Sequence, residues 1–325
     1  MTRSYFLGID IGATKTDALI ADETGQVVGY GRSGPGNHQT VGYTGMAAAL
    51  ATATEQALEN AGLTIEEIAG GGFGIGGYDW PSQEPQMIKT IRQATGIQSP
   101  VAVCNDAVLG LLAGTEEGWG VALVAGTSCN CRGRDPQGRE GRVTGDGHIF
   151  GEYGGAGELV DRALHAVVAE WSRRGPATRL SDALVGYVGA QDVEEMLEGM
   201  SLGRYRLRAA AAPLIFQVAE AGDGVAREVI GWAGCELGDL AVGVIRQLNF
   251  EDLSFDVVLV GSLFNGGRLF TEPVRATIQA VAPNARLHRL DAPPVIGGVL
   301  LGMEEVGAMR TGVRQMLLKT VTAYK

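Results

Sequence analysis

The sequence is poor in cysteine, with four in 325 residues, and none of them forms a C-x-x-C pair. Cys129 and Cys131 are only two positions apart, which is not the spacing of a structural zinc site. The N-terminal residues also lack the basic region, apolar core and cleavage site of a secretory signal. We therefore expect a cytoplasmic protein with reduced thiols and no structural zinc.

A long apolar run and a cluster of basic residues are also missing. No segment reaches the ~18 uncharged apolar residues of a membrane span, so we expect no membrane partner. The net charge is −11 and no run of Lys or Arg is present, which argues against a nucleic-acid partner. An acidic chain can still bind phosphate locally, through backbone N–H groups and helix N-termini.

Glycine, by contrast, is abundant, with 50 residues that lie mostly in apolar contexts. Such glycines indicate tight turns and close approaches of the backbone rather than disorder. The most informative group follows an apolar strand, Tyr5 to Ile11, and leads through a tight turn into a returning strand. The turn consists of Gly12, Ala13, Thr14, Lys15 and Thr16.

This turn offers the groups that the phosphates of a Mg-nucleotide require. Backbone N–H groups of such a turn converge on one point, the Thr hydroxyls and Lys15 add donors, and Asp10 can hold a cation-bound water. The spacing is not that of a P-loop, and no G-x-G-x-x-G opens a helix here. An ordinary surface hairpin with polar turn residues is the alternative interpretation.

Strands and helices alternate along the chain, which predicts an α/β fold with helices packed on mixed sheets. Helices are expected over 44–61 and 84–95, and a short buried strand ends at Asn105-Asp106. The strand–turn–strand pattern restarts at Trp119, and a long amphipathic helix is expected over 224–248. The length suits two domains. We predict them over 1–118 and 119–325, with the C-terminal helix packing back on the first.

Three turns in the chain combine glycine with hydroxyl side chains after a buried strand. The first follows Asp10, the second is Gly126, Thr127 and Ser128, and the third is Gly261 and Ser262, with Asn265 on the next turn. Their order and spacing resemble the sugar kinase, Hsp70 and actin superfamily. More narrowly, the chain resembles the BadF/BadG/BcrA/BcrD ATPase family and, within it, the N-acetylglucosamine kinases, over essentially its whole length.

The narrower resemblance rests on three short segments. The loop from Ser33 to His38 looks like the sugar-binding loop of these kinases, in which the pair Asn37 and His38 is characteristic. Asp106, at a strand end, looks like their catalytic Asp. Asn130, after the second turn, resembles an Asn that contacts the sugar.

A fourth segment, Gly145 to Gly155, matches the family's pattern only in part. It carries Gly147 and Glu152 where the resemblance implies further sugar contacts. Asp146 replaces the usual Trp, and Glu152-Tyr153 replaces an Asp-Glu pair. These departures leave the phosphate turns intact and put the identity of the sugar in question.

The resemblance implies two actin-like (ribonuclease H-like) domains, each a mixed sheet flanked by helices, around a cleft for nucleotide and sugar. It implies ATP and Mg²⁺ as cofactors, and phosphorylation of an amino sugar, N-acetylglucosamine, at the 6-hydroxyl. Asp106 would be the general base and Asp10 would organise Mg²⁺ through water. The first two turns would hold phosphates, and the third, with Asn265, the adenosine. We also expect a homodimer.

Several alternatives stay open at this level. Asp106 could be the N-cap of the helix that follows, Asn37 an ordinary turn residue, and Lys15 a solvated charge. His38 is expected to shape its loop rather than to do chemistry. Rival functions are a kinase for glucosamine or another hexose, an ATPase activator of a 2-hydroxyacyl-CoA dehydratase, which needs cluster-binding cysteines, and a non-catalytic sugar sensor.

Overall fold

Ten strands form two five-stranded sheets in the computed structural model, which describes residues 3–324. The strands of the first sheet are β1 (Tyr5–Ile11), β2 (Thr16–Asp22), β3 (Val27–Ser33), β4 (Ile68–Ile75) and β5 (Val101–Asn105). Those of the second are β6 (Gly120–Ala125), β7 (Cys129–Arg134), β8 (Glu140–Arg142), β9 (Asp256–Val260) and β10 (Arg286–Arg289).

The two sheets have one topology. The order is β3-β2-β1-β4-β5 in the first and β10-β9-β6-β7-β8 in the second. In each, the first three strands along the chain form an antiparallel meander, and the two later strands add in parallel beside the first of them. This repetition confirms the predicted pair of mixed sheets, although the halves share too little sequence to reveal a repeat.

Eleven α-helices flank the sheets within residues 3–324, and none of them is long and apolar enough to cross a membrane. In chain order they are α1 (His38–Ala61), α2 (Glu84–Thr95), α3 (Asp106–Gly114), α4 (Ala156–Trp171), α5 (Leu180–Val188), α6 (Val193–Ser201), α7 (Ala212–Glu220), α8 (Gly224–Leu248), α9 (Arg268–Gln279), α10 (Val295–Glu305) and α11 (Val313–Thr320).

Helix α1 begins earlier than the sequence predicts and is interrupted near its start. Gly42 has a φ of 67° and a ψ of 172°, which no helix accommodates, so a single turn precedes the main helix. Asn37 caps this turn by accepting a hydrogen bond from the N–H of Gln39 at 2.8 Å. The helix ends at Gly62, whose left-handed φ of 66° suits a glycine cap.

The first sheet is covered on both faces. Helices α1 and α2 pack on one face, and α10 and α11 pack on the other. Glycines allow α10 to approach closely: a Cβ built on Gly8 would lie 2.3 Å from the backbone nitrogen of Val299, and one on Gly72 2.2 Å from the carbonyl oxygen of Gly298. We call the first sheet with these four helices the first lobe. The division of the chain at residue 118 stays a prediction.

Helix α3 lies between the first lobe and the second lobe, which comprises the second sheet and α4–α9. Ala107 and Leu111 on one side of α3 pack with Ala122 and Val258 of the second sheet. Another side of the helix packs with Leu301 of α10. Because Asp106 is the first residue of α3, this packing places its carboxyl group at the junction of the lobes.

Candidate active site

Acidic and amide groups collect where three parallel strands of the first sheet end. The register places Asp10 of β1 beside Gly74 of β4, and Ile75 of β4 beside Asn105 of β5. Asp106 follows directly. Ligands of open α/β sheets bind in the crevice beyond the carboxyl ends of such strands. The structure thus places Asp10 and Asp106 at one crevice.

Asn37 reaches this crevice from the loop before α1. A Cβ built on Gly76 would lie 3.2 Å from Oδ2 of Asp106 and 3.6 Å from Nδ2 of Asn37. Gly76 therefore lies next to both side chains, and a side chain there would crowd Asp106 and the carbonyl oxygen of Ile11. Sequence reasoning identified both neighbours but not Gly76.

Asp106 does not cap its helix, because Asn105 does. The side-chain oxygen of Asn105 accepts a hydrogen bond from the N–H of Ala107 at 3.1 Å. Burial raises the pKa of Asp106 from 3.8 to about 6; the N–H of Ala107 and the charge of Arg132 oppose the rise, and the charge of Asp79 adds to it. A carboxyl group with such a pKa suits proton transfer near neutral pH.

Asp10 carries an even higher pKa. Burial raises it from 3.8 to about 7, the charges of Asp106 and Asp17 add to the rise, and Lys15 opposes it. Two carboxylates in one crevice repel each other, so a cation placed between or beside them would be attracted. No group of three or more His, Cys, Asp or Glu side chains within residues 3–324 could hold a metal ion unaided.

Asn130 of the second lobe approaches the same place. Its Nδ2 donates to Oδ1 of Asn105 at 3.2 Å, and its Oδ1 accepts from the N–H of Cys131 at 2.8 Å. Alternation along β7 turns Asn130 away from the second core, in which Cys129 and Cys131 are buried. Across the junction of the lobes, Asn130 thus contacts Asn105, the residue directly before Asp106.

The first glycine turn is joined to the Asn37 loop by backbone hydrogen bonds. The carbonyl oxygen of Gly12 accepts from the N–H groups of Gly36 and Asn37 at 3.0 and 3.1 Å, and Gly12 itself donates to Lys15 at 2.9 Å. The middle of the turn, Ala13 to Lys15, is exposed. This part of the turn presents Thr14 to the solvent.

Two members of the turn have surroundings that the sequence did not indicate. Thr16 is fully buried, and its hydroxyl lies 2.6 Å from where a Cβ on Gly36 would be, so its side chain does not reach the exposed part of the turn. Lys15 pairs with Asp17 at 2.5 Å. Asp17 also accepts from Arg32 at 2.6 Å.

His38 packs against Tyr43 and Gln83, and its role in shaping the loop stays a prediction. Its ring stacks on Tyr43 with centroids 5.0 Å apart, and its Nε2 lies 3.4 Å from Nε2 of Gln83. Burial lowers the pKa of His38, and the charge of Asp79 opposes this. The ring is thus packed against neighbours of the loop that carries Asn37.

Glu152 anchors the segment that departs from the family's pattern. Its buried carboxylate accepts from the N–H groups of Thr144 at 2.5 Å, Gly145 at 2.9 Å and Gly147 at 3.3 Å. Gly147 has a φ of 72°, a conformation that favours glycine. The structure therefore gives Glu152 a role in holding this loop, and a contact between Glu152 and a sugar stays a prediction.

The second and third glycine turns line one cavity of about 600 Å³ in the second lobe. Gly126 and Thr127 lie at one side of it, and Ser262 and Asn265 at another. Gly261, with a φ of 113°, brings the two turns together: a Cβ on it would lie 2.2 Å from the carbonyl oxygen of Ala125.

The rest of this cavity comes from residues that carry no sequence motif. Its wall is formed by α7 and the turn before it, and includes Ala209, Ala212, Pro213, Phe216, Gln217 and Glu220. Gly266 fits closely against Phe216, since a Cβ on it would lie 2.1 Å from the ring. An apolar wall with a few polar groups is typical of small-molecule sites.

The Gly126 turn is held by the start of α4. The N–H of Ala156 donates to Gly126 at 2.9 Å and that of Gly157 to Thr127 at 3.0 Å, while Gly126 donates to Ser128 at 2.9 Å. These bonds use backbone groups and leave Thr127 and Ser128 exposed. Thr127 and Ser128, which are predicted to contact phosphate, are thus exposed on a turn that backbone hydrogen bonds hold in place.

The chain is similar in sequence to a known family and to characterised kinases. The sequence profile of the BadF/BadG/BcrA/BcrD ATPase family matches residues 7–302. An N-acetyl-D-glucosamine kinase of Dictyostelium discoideum is 25% identical over 315 residues, which cover 93% of this chain and 99% of that protein. An N-acetylmuramic acid/N-acetylglucosamine kinase of Clostridium acetobutylicum is 22% identical over 303 residues, with 93% and 99% covered.

The fold also matches a solved structure. A candidate N-acetylglucosamine kinase from Chromobacterium violaceum superposes with a TM-score of 0.68 at 22% sequence identity, covering 92% of this chain and 98% of that one. At this identity the match shows the fold, and it confirms the predicted two-lobed α/β architecture.

Proposed function

Because the chain belongs to the BadF/BadG/BcrA/BcrD ATPase family, we propose that it is an ATP-dependent kinase that phosphorylates an amino sugar, N-acetylglucosamine, on the 6-hydroxyl. The observation that carries this proposal is the meeting of Asn37, Asp106 and Asn130 at the junction of the lobes. These residues come from distant parts of the chain, and local geometry does not bring them together.

Asp106 is the general base in this proposal. Its carboxyl group lies at the crevice and is not used as a helix cap, and its raised pKa of about 6 leaves it ionised at neutral pH and basic enough to accept a proton from a hydroxyl group. Phosphoryl transfer requires mainly positioning and neutralisation of charge. Asp106 therefore orients the sugar hydroxyl and takes its proton as the hydroxyl attacks the γ-phosphate.

The two glycine turns hold the phosphates of ATP, one from each lobe. Thr14 and Thr127 are both exposed at their turns and offer hydroxyl donors. Lys15 would exchange its contact with Asp17 for one with phosphate, or stay where it is. Thr16 is buried, so its contribution is limited to supporting the turn from below.

Mg²⁺ would be held through water by Asp10, together with the phosphates of the nucleotide. The residues fit it, because the carboxyl groups of Asp10 and Asp106 lie at one crevice; burial raises the pKa of Asp10 to about 7, and the charges of Asp106 and Asp17 add to the rise. When bound, the ion would neutralise charge on the transferring phosphoryl group.

The adenosine of ATP occupies the second-lobe cavity. The volume of about 600 Å³ suits a nucleoside. Ser262 and Asn265 offer polar contacts, and Phe216 with its neighbours offers an apolar surface. Gly261 keeps this cavity close to the Gly126 turn, so the adenosine lies beside the phosphate turn of the second lobe.

The sugar is bound by Asn37 and Asn130, with His38 and the loop anchored by Glu152 shaping the site. A site that donates hydrogen bonds to a given group rejects analogues that lack the group, because its polar atoms are then left without partners. We choose N-acetylglucosamine because two relatives carry that activity in their names. Glucosamine or another hexose is the second candidate, since Asp146 stands where the family has Trp.

The structure gives little support to the two rival functions. Cys104, Cys129 and Cys131 are buried and only Cys235 is exposed, so the cysteines do not form a surface site for an iron–sulfur cluster. A sugar sensor has no need of an ionisable Asp106 at the crevice. We also propose a cytoplasmic homodimer, which light scattering of the purified protein would test.

A substrate panel tests the proposed function. ATP-dependent phosphorylation is measured with N-acetylglucosamine, glucosamine, N-acetylmannosamine, N-acetylmuramate and glucose, with product identified by mass spectrometry. The highest kcat/KM is expected for N-acetylglucosamine. A preference for glucosamine or glucose would overturn the choice of sugar, and no phosphorylation of any sugar would overturn the kinase assignment.

A further inference from the structure

Asp79, in the loop after β4, is the centre of a buried polar cluster that the activity proposed above does not use. Its side chain is 4% exposed. One carboxylate oxygen, Oδ1, accepts from Nη2 of Arg132 at 2.8 Å and from Nδ2 of Asn105 at 3.2 Å. The other, Oδ2, accepts from Nε2 of Gln39 at 3.3 Å.

Arg132 belongs to the second lobe, so its ion pair with Asp79 joins the lobes. It lies on β7, two residues after Asn130 and on the same side of the strand. Its side chain is 3% exposed. A second arginine of this lobe, Arg142 of β8, donates to the carbonyl oxygen of Asp79 and lies over the ring of Trp80, 4.8 Å from its centroid.

Every segment that meets the Asp79 carboxylate also carries a residue assigned to the sugar. Gln39 is two residues from Asn37, and Asn105 directly precedes Asp106. The loop that Glu152 anchors begins at Gly145. A Cβ built on Gly145 would lie 2.5 Å from Oδ1 of Asp79. The carboxylate of Asp79 is thus the shared contact of segments from both lobes.

We propose that Asp79 and Arg132 are positioning residues for the transfer reaction. Their ion pair sets how the two lobes meet at the sugar and, through Asn105, where Asp106 stands relative to Asn130. The proposal rests on the proposed kinase function, in which neither Asp79 nor Arg132 is assigned a contact with a substrate. A buried ion pair is a poor source of stability compared with apolar residues of similar size, but its geometry is demanding. Such a pair therefore suits residues that align the two lobes.

The nucleotide cavity provides a built-in reference. It is formed by residues 126–127, 156, 209–220 and 262–266, all within the second lobe. Loss of the Asp79–Arg132 pair should therefore leave the affinity for adenosine unchanged while it disturbs the sugar. Misaligned sugar should also raise the fraction of ATP that is hydrolysed by water instead of being used for phosphorylation, because closure excludes water less well.

The experiment compares D79N, R132M and the double variant D79N/R132M. Each single variant leaves one buried charge without its partner and is expected to lose stability as well as activity. In the double variant no buried charge is left alone, so its melting temperature should return towards the wild-type value. Its kcat/KM for the sugar should nevertheless stay about 100-fold low, because misplacement by about 1 Å has effects of that size.

Three measurements are made on every variant: the melting temperature, the Kd for adenosine by titration, and the ratio of ATP hydrolysed to sugar phosphorylated. For the double variant we expect a Kd within about twofold of wild type and a hydrolysis ratio that is clearly raised. If the double variant instead shows wild-type kcat/KM and a wild-type ratio, the pair only stabilises the fold, and the inference is overturned.

A matched control uses the other ion pair between β7 and the first lobe. Arg134, two residues beyond Arg132, pairs with Glu304 of α10 at 2.6 and 2.8 Å, away from the sugar segments. E304Q should leave kcat/KM and the hydrolysis ratio unchanged; a loss equal to that of the double variant would overturn the special role of Asp79. A wild-type protein inactive on all sugars would instead refute the kinase function.

Discussion

Replacing Asp106 by Asn should remove most of the turnover and, at the same time, stabilise the folded protein above pH 6. Asn fills the same space but cannot take a proton from the sugar, and removal of a general base typically costs about 10²- to 10⁴-fold in rate. The gain in stability has a separate cause, namely the cost of ionising a carboxyl group that is buried and lies near the charge of Asp79.

The size of the gain follows from the pKa of Asp106. Burial raises it from 3.8 to about 6, so the folded protein holds this proton to a higher pH than the unfolded chain does. Stability is therefore lost as pH rises from about 4 to 6, and the loss is constant above that. Two pKa units correspond to about 3 kcal/mol as a ceiling, and since the side chain is partly solvated we expect about half of it.

For a chain of this length that gain raises the melting temperature by about 2 °C. Thermal unfolding of D106N and wild type is followed at pH 8, 6 and 4, alongside kcat with saturating sugar and ATP. The stabilisation should be full at pH 8 and absent at pH 4. A variant that loses activity but is equally or less stable at pH 8 would refute the buried-carboxylate argument, and one with near-normal turnover would refute Asp106 as the base.

Other perturbations probe the remaining parts of the site. T14V and T127V should each weaken ATP binding about 10- to 100-fold, which is the cost of losing one hydrogen bond to a charged group. The affinity for sugar, measured by calorimetry in the absence of nucleotide, should stay unchanged. F216A should raise the KM for ATP about tenfold through lost apolar contact, with the KM for sugar unchanged in the same assay. G76A places a methyl group 3.2 Å from Oδ2 of Asp106 and should lower kcat/KM for the sugar but leave the Kd for ATP intact. The pH profile of kcat/KM should fall below about pH 6, where Asp106 gains its proton, about tenfold per unit.

Local sequence patterns predicted the elements that bear the site. The strands Tyr5–Ile11 and Cys129–Arg134 and the helix Gly224–Leu248 have the bounds that apolar periodicity and turn residues indicate. The break at Gly42 also explains why periodicity placed the start of the first helix near residue 44. These features depend on residues a few positions apart, so one sequence is enough to predict them.

Side-chain partners within the site were less predictable. In the sequence, Lys15 and Thr16 were equally good candidates for hydrogen-bond donors to phosphate. Only the fold shows that Thr16 is buried under Gly36. The sequence suggested Glu152 as a sugar contact, and only the fold shows that its carboxylate also accepts hydrogen bonds from the backbone of the Gly145 loop. A polar residue in a glycine-rich segment has the same appearance in the sequence whether it faces a ligand or the backbone.

By itself, then, the sequence determined the two mixed sheets, the three glycine turns and the acidic strand ends. Only the tertiary structure decided which residues meet across the lobes. Asp79 and Arg132 are 53 positions apart and neither belongs to a recognisable motif, and α7 lines the nucleotide cavity although its sequence is that of an ordinary amphipathic helix. Local propensity is set by near neighbours, whereas these contacts arise from how helices and sheets pack, which no short pattern encodes.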